Sequence, residues 1–475
     1  MADPQSKVQS KPPIVAVVGH VDHGKTALLD YIRKTNIVDK EVGGITQSIG
    51  AYEVKHEGKK ITFIDTPGHE AFTKMRAHGT STADMAILVI AADESVKQQT
   101  RESLEILRAT KTPFVVAITK IDKSGADIEK VKKDLMGEEV FLEGAGGNVS
   151  WQAVSPKTGQ GIKELLDLIL LMGEVAGLTC DPKADARGFV IESQKDSRRG
   201  IVVHLVLKDG TLRQGDVVRT LTASGKVKIL EDFLGQPVEE LKPSAPASVV
   251  GFEEFPEAGE EFVVGDGKLQ VKTEKDKYHP TVQPPSEAQA EKLKILLKAD
   301  TNGSLHALQD LLGDEVEIIG ASAGDITDND VRLARSTGSV IAGFMVETKK
   351  ATRSLAEAQG VKVFNSSIIY ELLDLIKEFK HRKKEEFAGG ELKVLAVFGS
   401  TSSKRTIGGK VLRGIIKGGM AVGVEREGEI VGKGRIKSVQ INKEDIREAG
   451  LDSECGLVIE TTTEIKEGDL IKTQT

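Results

Sequence analysis

Cysteine is almost missing from this chain. Its 475 residues include two, Cys180 and Cys455, far apart and outside any metal-ligand spacing. That excludes a disulfide scaffold and suits a reducing compartment. Long apolar runs are missing too. The longest, MAILVIAA at 85–92, is far too short to span a bilayer. The opening MADPQSKVQSKPP holds no apolar stretch of the secretory kind. Nor is there a basic excess, since the formal net charge is -7. Attraction of the whole chain to nucleic acid is excluded, and any RNA-binding surface must be local. A soluble, cytoplasmic protein without a membrane segment is expected, and the length predicts about three domains.

What is present is a change of pattern along the chain. Residues 1–12 read as a disordered tail. From 13 to 176, apolar strands such as IVAVVG (14–19), ITFID (61–65), MAILVIAA and FVVAITK (114–120) alternate with helical stretches, including KTALLDYIRK (25–34) and GIKELLDLILLMGEV (161–175). Alternating β and α units imply a parallel sheet covered on both faces. LTCDPKADARG (178–188) reads as a linker. Residues 184–275 carry short β-rich runs punctuated by KDGT, RQGD and ASGK, which predicts a small antiparallel barrel. A proline-rich linker follows at 278–289. Residues 290–366 return to α/β, with four strands interleaved with helices, and predict an α/β/α sandwich. Residues 367–388 have apolar positions at helical intervals and predict a connecting helix, packed at its start and solvated near HRKKEE. Residues 390–475 look like a second barrel: VLRGIIKGGMAVG (411–423) parallels VLKDGTLRQGDVV (206–218), and EIKEGDLIKT (464–473) parallels PEAGEEFVV (256–264).

The chemistry-bearing motif is GHVDHGKT at 19–26, which fits G-x-x-x-x-G-K-[ST] and stands between a strand and a helix. Backbone N–H groups of such a loop curl round phosphate oxygens, and the helix N-terminus adds favourable potential. Gly19, His20, Val21, Asp22, His23, Gly24, Lys25, Thr26 and Ala27 are the candidate phosphate-side residues. Lys25 is expected to reach the outer phosphates and Thr26 to ligate Mg²⁺. DTPGH (65–69) follows a strand. Asp65 is expected to hold the magnesium through water, the Gly68 N–H to face the γ-phosphate and His69 to orient an attacking water, with Thr66 and Pro67 as further GTP-binding candidates. In GGIT (43–46), Thr46 is a second candidate metal contact. TKID (119–122) and SPK (155–157) are the candidate base-side loops, made of Thr119, Lys120, Ile121, Asp122, Ser155, Pro156 and Lys157. Asp122 can accept two hydrogen bonds from guanine N–H groups, which adenine cannot supply. Together these motifs predict a guanine-nucleotide hydrolase using GTP/GDP and Mg²⁺.

GHVDHGK with DTPGHEAF resembles the translational GTPases. EVGGITQSIGAYEV (41–54), the domain order, SSIIYELLDLIKE and SECGLVIE (453–460) resemble the bacterial translation initiation factor 2 family. The resemblance implies a monomeric, ribosome-stimulated GTPase with four partners: the small and large ribosomal subunits, ribosomal RNA and formylmethionyl initiator tRNA. It implies that His69 positions the water behind an apolar gate of Val21 and Ile45, and that the last barrel binds the tRNA, with Cys455 and Gly456 at the pocket. Lys410, Arg413, Lys433, Arg435 and Lys437 are further tRNA candidates, because residues 393–443 hold eleven basic residues against three acidic ones.

Two positions depart from the family on the base side, and the third departure concerns length. Thr119 stands where asparagine is usual, and Pro156 where an alanine would offer an N–H. Both predict weakened base affinity with guanine still preferred through Asp122. Only about a dozen residues precede the GTPase domain, so ribosome contacts from a long N-terminal region are expected to be absent. The competing readings are an RNA-bridging scaffold with a weakened nucleotide site, or another tRNA-carrying translational GTPase of the elongation factor Tu type.

Overall fold

The structure is a computed structural model that describes residues 8–33, 50–66, 72–196, 198–265, 292–387, 390–400, 404–426, 429–441 and 444–474. The described residues form two compact units, 1–372 and 373–475.

In the first unit the chain runs β1 (Gln9–Ser10), β2 (Ile14–Gly19), α1 (Lys25–Arg33), β3 (Gly50–His56), β4 (Lys59–Asp65), α2 (Thr73–Thr82), β5 (Met85–Ala91), α3 (Gln98–Thr110), β6 (Phe114–Thr119), α4 (Ile128–Gly137), β7 (Trp151–Ala153), α5 (Ile162–Val175) and β8 (Thr179–Cys180). Six of these strands make one sheet in the order β3-β4-β2-β5-β6-β7. Only β3 runs antiparallel to its neighbour. Every residue of β2 and of β5 is buried, as parallel strands covered on both faces require. That burial accounts for the run MAILVIAA. Leu28, Leu29 and Ile32 of α1 and Leu165, Leu166 and Ile169 of α5 close a core over Val15, Val17, Ile87 and Val89. The carboxyl ends of β2, β4, β6 and β7 deliver the loops that carry the candidate site, the usual crevice of open α/β sheets.

The opening residues correct an expectation. The described part of the supposed disordered tail is ordered, with β1 pairing antiparallel to β8. Lys11 is buried and its ammonium lies 2.7 Å from Asp84. Asp84 also accepts from the Ile14 N–H at 3.0 Å and meets Lys208 at 3.3 Å. The partners stand about 70 to 200 residues away, so the polar opening carries no local sign of this anchoring. Helix α2 is also hidden from periodicity, because Arg76, Thr80 and Thr82 are among its buried residues.

Strands β9 (Arg187–Asp196), β10 (Gly200–Asp209), β11 (Leu212–Arg213), β12 (Val217–Arg219), β13 (Ser224–Asp232), β14 (Glu240–Leu241), β15 (Pro246–Phe252) and β16 (Glu261–Val264) follow. Six close into a barrel, β10-β15-β13-β12-β16-β9, while β11 pairs with β14. The chain then forms β17 (Leu293–Ala299), α6 (Asn302–Leu312), β18 (Val316–Ala323), α7 (Asp328–Thr337), β19 (Val340–Phe344), α8 (Lys350–Ala358), β20 (Val363–Ser366) and α9 (Ile369–Phe387). The order β18-β17-β19-β20 is parallel throughout. Val331 and Ala334 of α7 and Ala356 of α8 pack on one face with Leu296 and Ile341.

The second unit contains β21 (Glu391–Ser400), β22 (Lys404–Arg413), β23 (Ile416–Lys417), β24 (Ala421–Arg426), β25 (Glu429–Ile441), β26 (Glu444–Ile446), β27 (Glu448–Ala449), β28 (Glu454–Glu460) and β29 (Leu470–Gln474). Pairings β21-β22-β28-β25-β24-β29-β21 close a ring, and β23 pairs with β27. This ring has the same strand succession as β9-β10-β15-β13-β12-β16. In both, a two-residue strand pair sits outside the ring. The sequence parallel between 206–218 and 411–423 therefore marks a repeated topology.

Candidate functional site

The phosphate loop is shaped by positions that only particular residues accept. Gly19 has φ +144°, and a Cβ there would lie 2.4 Å from the Val89 carbonyl oxygen. Asp22 and Gly24 follow at φ 62° and 86°. Lys25, at the first residue of α1, is buried, and its Nζ donates to the carbonyl oxygens of Gly19 at 2.9 Å and His20 at 2.7 Å. Burial pulls this ammonium down to about 8, and the nearby Asp65 carboxylate works against that shift. His23 is fully buried and burial pushes it down to about 4, so it is neutral at pH 7. The His20 ring, also lowered by burial, meets it edge to face at 4.9 Å. The loop's attraction for anions thus comes from backbone N–H groups and Lys25, not from its histidines.

Gln99 of α3 is a participant that motif reading missed. Its Oε1 accepts from the Val21 N–H at 2.9 Å and braces the loop. Thr26 and Val21 are half-buried, and Ala27 is exposed. Asp65 is buried at the end of β4, beside Val17 in the sheet register. Thr66 is fully buried and donates its hydroxyl to the Val17 carbonyl at 2.8 Å, which ties the end of β4 to β2. Pro67, Gly68, His69, Ile45 and Thr46 lie outside the described residues.

On the base side, Asp122 is exposed at the surface and accepts a hydrogen bond from Ser155 at 2.7 Å. That bond holds its carboxyl below the usual carboxylate range. Ser155 is fully buried, and its Oγ also accepts from the Thr158 N–H at 3.2 Å. Lys120 has φ 57° and its Nζ lies 3.3 Å from Glu94. Ile121 and Pro156 are half-buried and Lys157 is exposed. Thr119 joins the two halves of the site. Its side chain is 0% exposed, and its hydroxyl donates to the His23 carbonyl of the phosphate loop at 2.5 Å.

The last barrel places its candidates less favourably. Along β28, Cys455, Leu457 and Ile459 face inward while Gly456 and Val458 do not. Cys455 is 5% exposed within the barrel core, and burial pushes its thiol up to about 11. It packs as a small hydrophobe and is not presented to a tRNA, which corrects the expectation drawn from SECGL. The charge excess counted along 393–443 is also reduced in space. Lys410 lies 2.9 Å from Asp452, Lys437 2.9 Å from Glu460, and Arg426 2.8 Å from Asp469. Those acids come from segments outside the counted window. Arg413, Lys433 and Arg435 remain exposed, with Lys433, Arg435 and Lys437 alternating on one side of β25.

Family models match three stretches of the chain. The Elongation factor Tu GTP binding domain matches residues 11–174, Elongation factor G domain 2 matches 185–265, and Translation-initiation factor 2 matches 268–377. A translation initiation factor IF-2 of Rubrobacter xylanophilus is 39% identical over 99% of this chain and 72% of its own length. The chain belongs to the translation initiation factor IF-2 family. An IF-2 of Aquifex aeolicus is 39% identical, over 98% of this chain and 61% of its own. Across these relatives and one from Bartonella bacilliformis, the chain spans between 59% and 72% of the relative's length. A solved structure of GDP-bound aIF5B from Aeropyrum pernix is 27% identical, covers 98% of this chain and 92% of that one, and has a TM-score of 0.48. The fold is that of a translational GTPase, with a GTP-binding domain and β-barrel domains, and membership of the family gives the site a guanine nucleotide as its ligand class. Among the described residues, no helix is long and apolar enough to cross a membrane.

Proposed function

We propose that this chain is a GTP-dependent translation initiation factor. It binds the small ribosomal subunit and formylmethionyl initiator tRNA, promotes joining of the large subunit, and leaves after hydrolysing GTP to GDP and phosphate. The observation that carries the reading is one continuous site, in which the phosphate loop and the Asp122–Ser155 base loop are tied through Thr119. Phosphates would displace the Gly19 and His20 carbonyls from Lys25, whose charge then faces anionic oxygen. Asp122, kept ionised by Ser155, would accept from the guanine N–H groups, and the Lys157 N–H would reach O6.

Hard oxygen donors suit Mg²⁺, and the buried Asp65 carboxylate near Lys25 with the Thr26 hydroxyl one residue on offers such a set. Thr46 would complete it. When bound, the ion neutralises charge on the phosphate oxygens. His69 would hold the attacking water behind Val21 and Ile45. The exposed basic side of β25 supports an RNA-facing role for the last barrel.

The experiment is His69→Ala, assayed for GTP affinity and for ribosome-stimulated hydrolysis in the presence of initiator tRNA. Intact affinity with stimulated turnover reduced to the unstimulated level is expected. Unchanged turnover would remove His69 from the mechanism.

A further inference from the structure

Guanine presents hydrogen-bonding atoms on two edges. The N–H groups at N1 and N2 face a carboxylate such as Asp122, while N7 and O6 are acceptors and need donors from the chain. Two positions frame Asp122: Thr119 at the end of β6, and Pro156 in the loop behind it. Pro156 has no N–H. Thr119 has a single O–H donor. That donor points away from the base loop, 2.5 Å from the His23 carbonyl, with the Ile90 carbonyl at 3.4 Å as its other acceptor. The side chain is 0% exposed, so no rotation brings the hydroxyl to a ligand without opening the contact between β6 and the phosphate loop. A Cβ on Gly24 would already sit 3.7 Å from the Thr119 Oγ1, so the loop closes directly over it.

We propose that Thr119 leaves N7 of guanine unread in this chain. It holds the phosphate loop against β6 and contributes nothing to the base. Guanine is then chosen by Asp122, with Ser155 fixing the carboxylate, and by the Lys157 N–H at O6, while Thr119 gives N7 no donor. The inference rests on the proposal that the site holds GTP.

Its test is a comparison of GTP with 7-deaza-GTP, in which N7 is replaced by carbon and every other base atom is kept. Equal affinity of the wild type for the two nucleotides, within about twofold, is expected. Thr119→Asn adds a second polar group at the same position: its carboxamide can hold the loop and still offer an N–H. That variant should bind GTP about three- to tenfold more tightly than 7-deaza-GTP, the range of one neutral hydrogen bond. Thr119→Val, which removes the tie to His23, should weaken both nucleotides alike and leave their ratio at one. A wild-type preference for GTP over 7-deaza-GTP of more than about threefold overturns the inference, and so does a folded Thr119→Asn variant that still treats the two alike. If Thr119→Asn does not fold, the wild-type ratio decides. Failure of the wild type to bind GTP at all would instead defeat the assignment of the site, so the two failures are distinguishable.

Discussion

Raising the pH from about 7 to about 9 should weaken GTP binding roughly tenfold through Lys25. In the free protein the ammonium is buried against the Gly19 and His20 carbonyls, and burial brings it down to about 8. A triphosphate placed beside it favours the charged form and lifts it well above that value. The bound state therefore holds a proton that the free state loses as pH rises through about 8. Affinity is fully present below that value and declines above it, by about one decade near pH 9, or about 1.4 kcal/mol. Isothermal titration in buffers of different ionisation enthalpy reads both quantities, and uptake of about one proton should accompany binding at the higher pH. Lys25→Arg is the control, because a guanidinium stays charged throughout. Any ionisation of the nucleotide itself is common to both proteins and cancels in the comparison. Parallel pH curves for wild type and Lys25→Arg would refute the reasoning.

Three further outcomes are expected. Gly19→Ala puts a Cβ 2.4 Å from the Val89 carbonyl at φ +144°, and should lower stability by about 1–3 kcal/mol in thermal unfolding and abolish nucleotide binding. An unchanged melting temperature would contradict the loop geometry. Cys455→Ala should cost about 1 kcal/mol of stability and leave initiator-tRNA affinity unchanged, as expected for a core thiol. Lost tRNA binding in the folded variant would return Cys455 to the pocket. Lys433→Glu combined with Arg435→Glu should weaken tRNA binding and lower the slope of log affinity against log salt by about 2. Equal affinity at several salt concentrations would place the tRNA elsewhere.

Much of the nucleotide site was legible because its information is local. Gly19 to Thr26 is one short stretch from the last residue of a strand to the first turn of a helix, and the glycine, lysine and threonine types follow from phosphate chemistry alone. Asp122 was readable for the same reason. The direction of the Thr119 hydroxyl was not, because its acceptor belongs to His23, nearly a hundred positions earlier. The role of Gln99 was hidden in the same way, since it braces Val21 from a different helix. The buried Arg76 of α2 looks like a surface charge in the sequence, yet it meets Glu102 and Thr73 at 2.9 Å inside the fold. Lys11 in the opening segment is the same case, with Asp84 as its partner. At the other end, the strand alternation that turns Cys455 inward depends on a barrel register no motif reports. The basic excess of 393–443 counted charges along one window, while Asp452, Glu460 and Asp469 arrive from neighbouring segments. The repeat between the two barrels survived because turn residues such as KDGT and RQGD fix strand ends locally.

The central claim is a site that cradles phosphates with Lys25 and selects guanine with Asp122. Displacement of a fluorescent GDP, with Mg²⁺ present, by GTP and by ATP tests it most directly. The account predicts strong displacement by GTP and none by ATP. Equal displacement by the two, or no binding of the fluorescent GDP, would contradict it and favour a barrel scaffold that bridges RNA without reading a nucleotide.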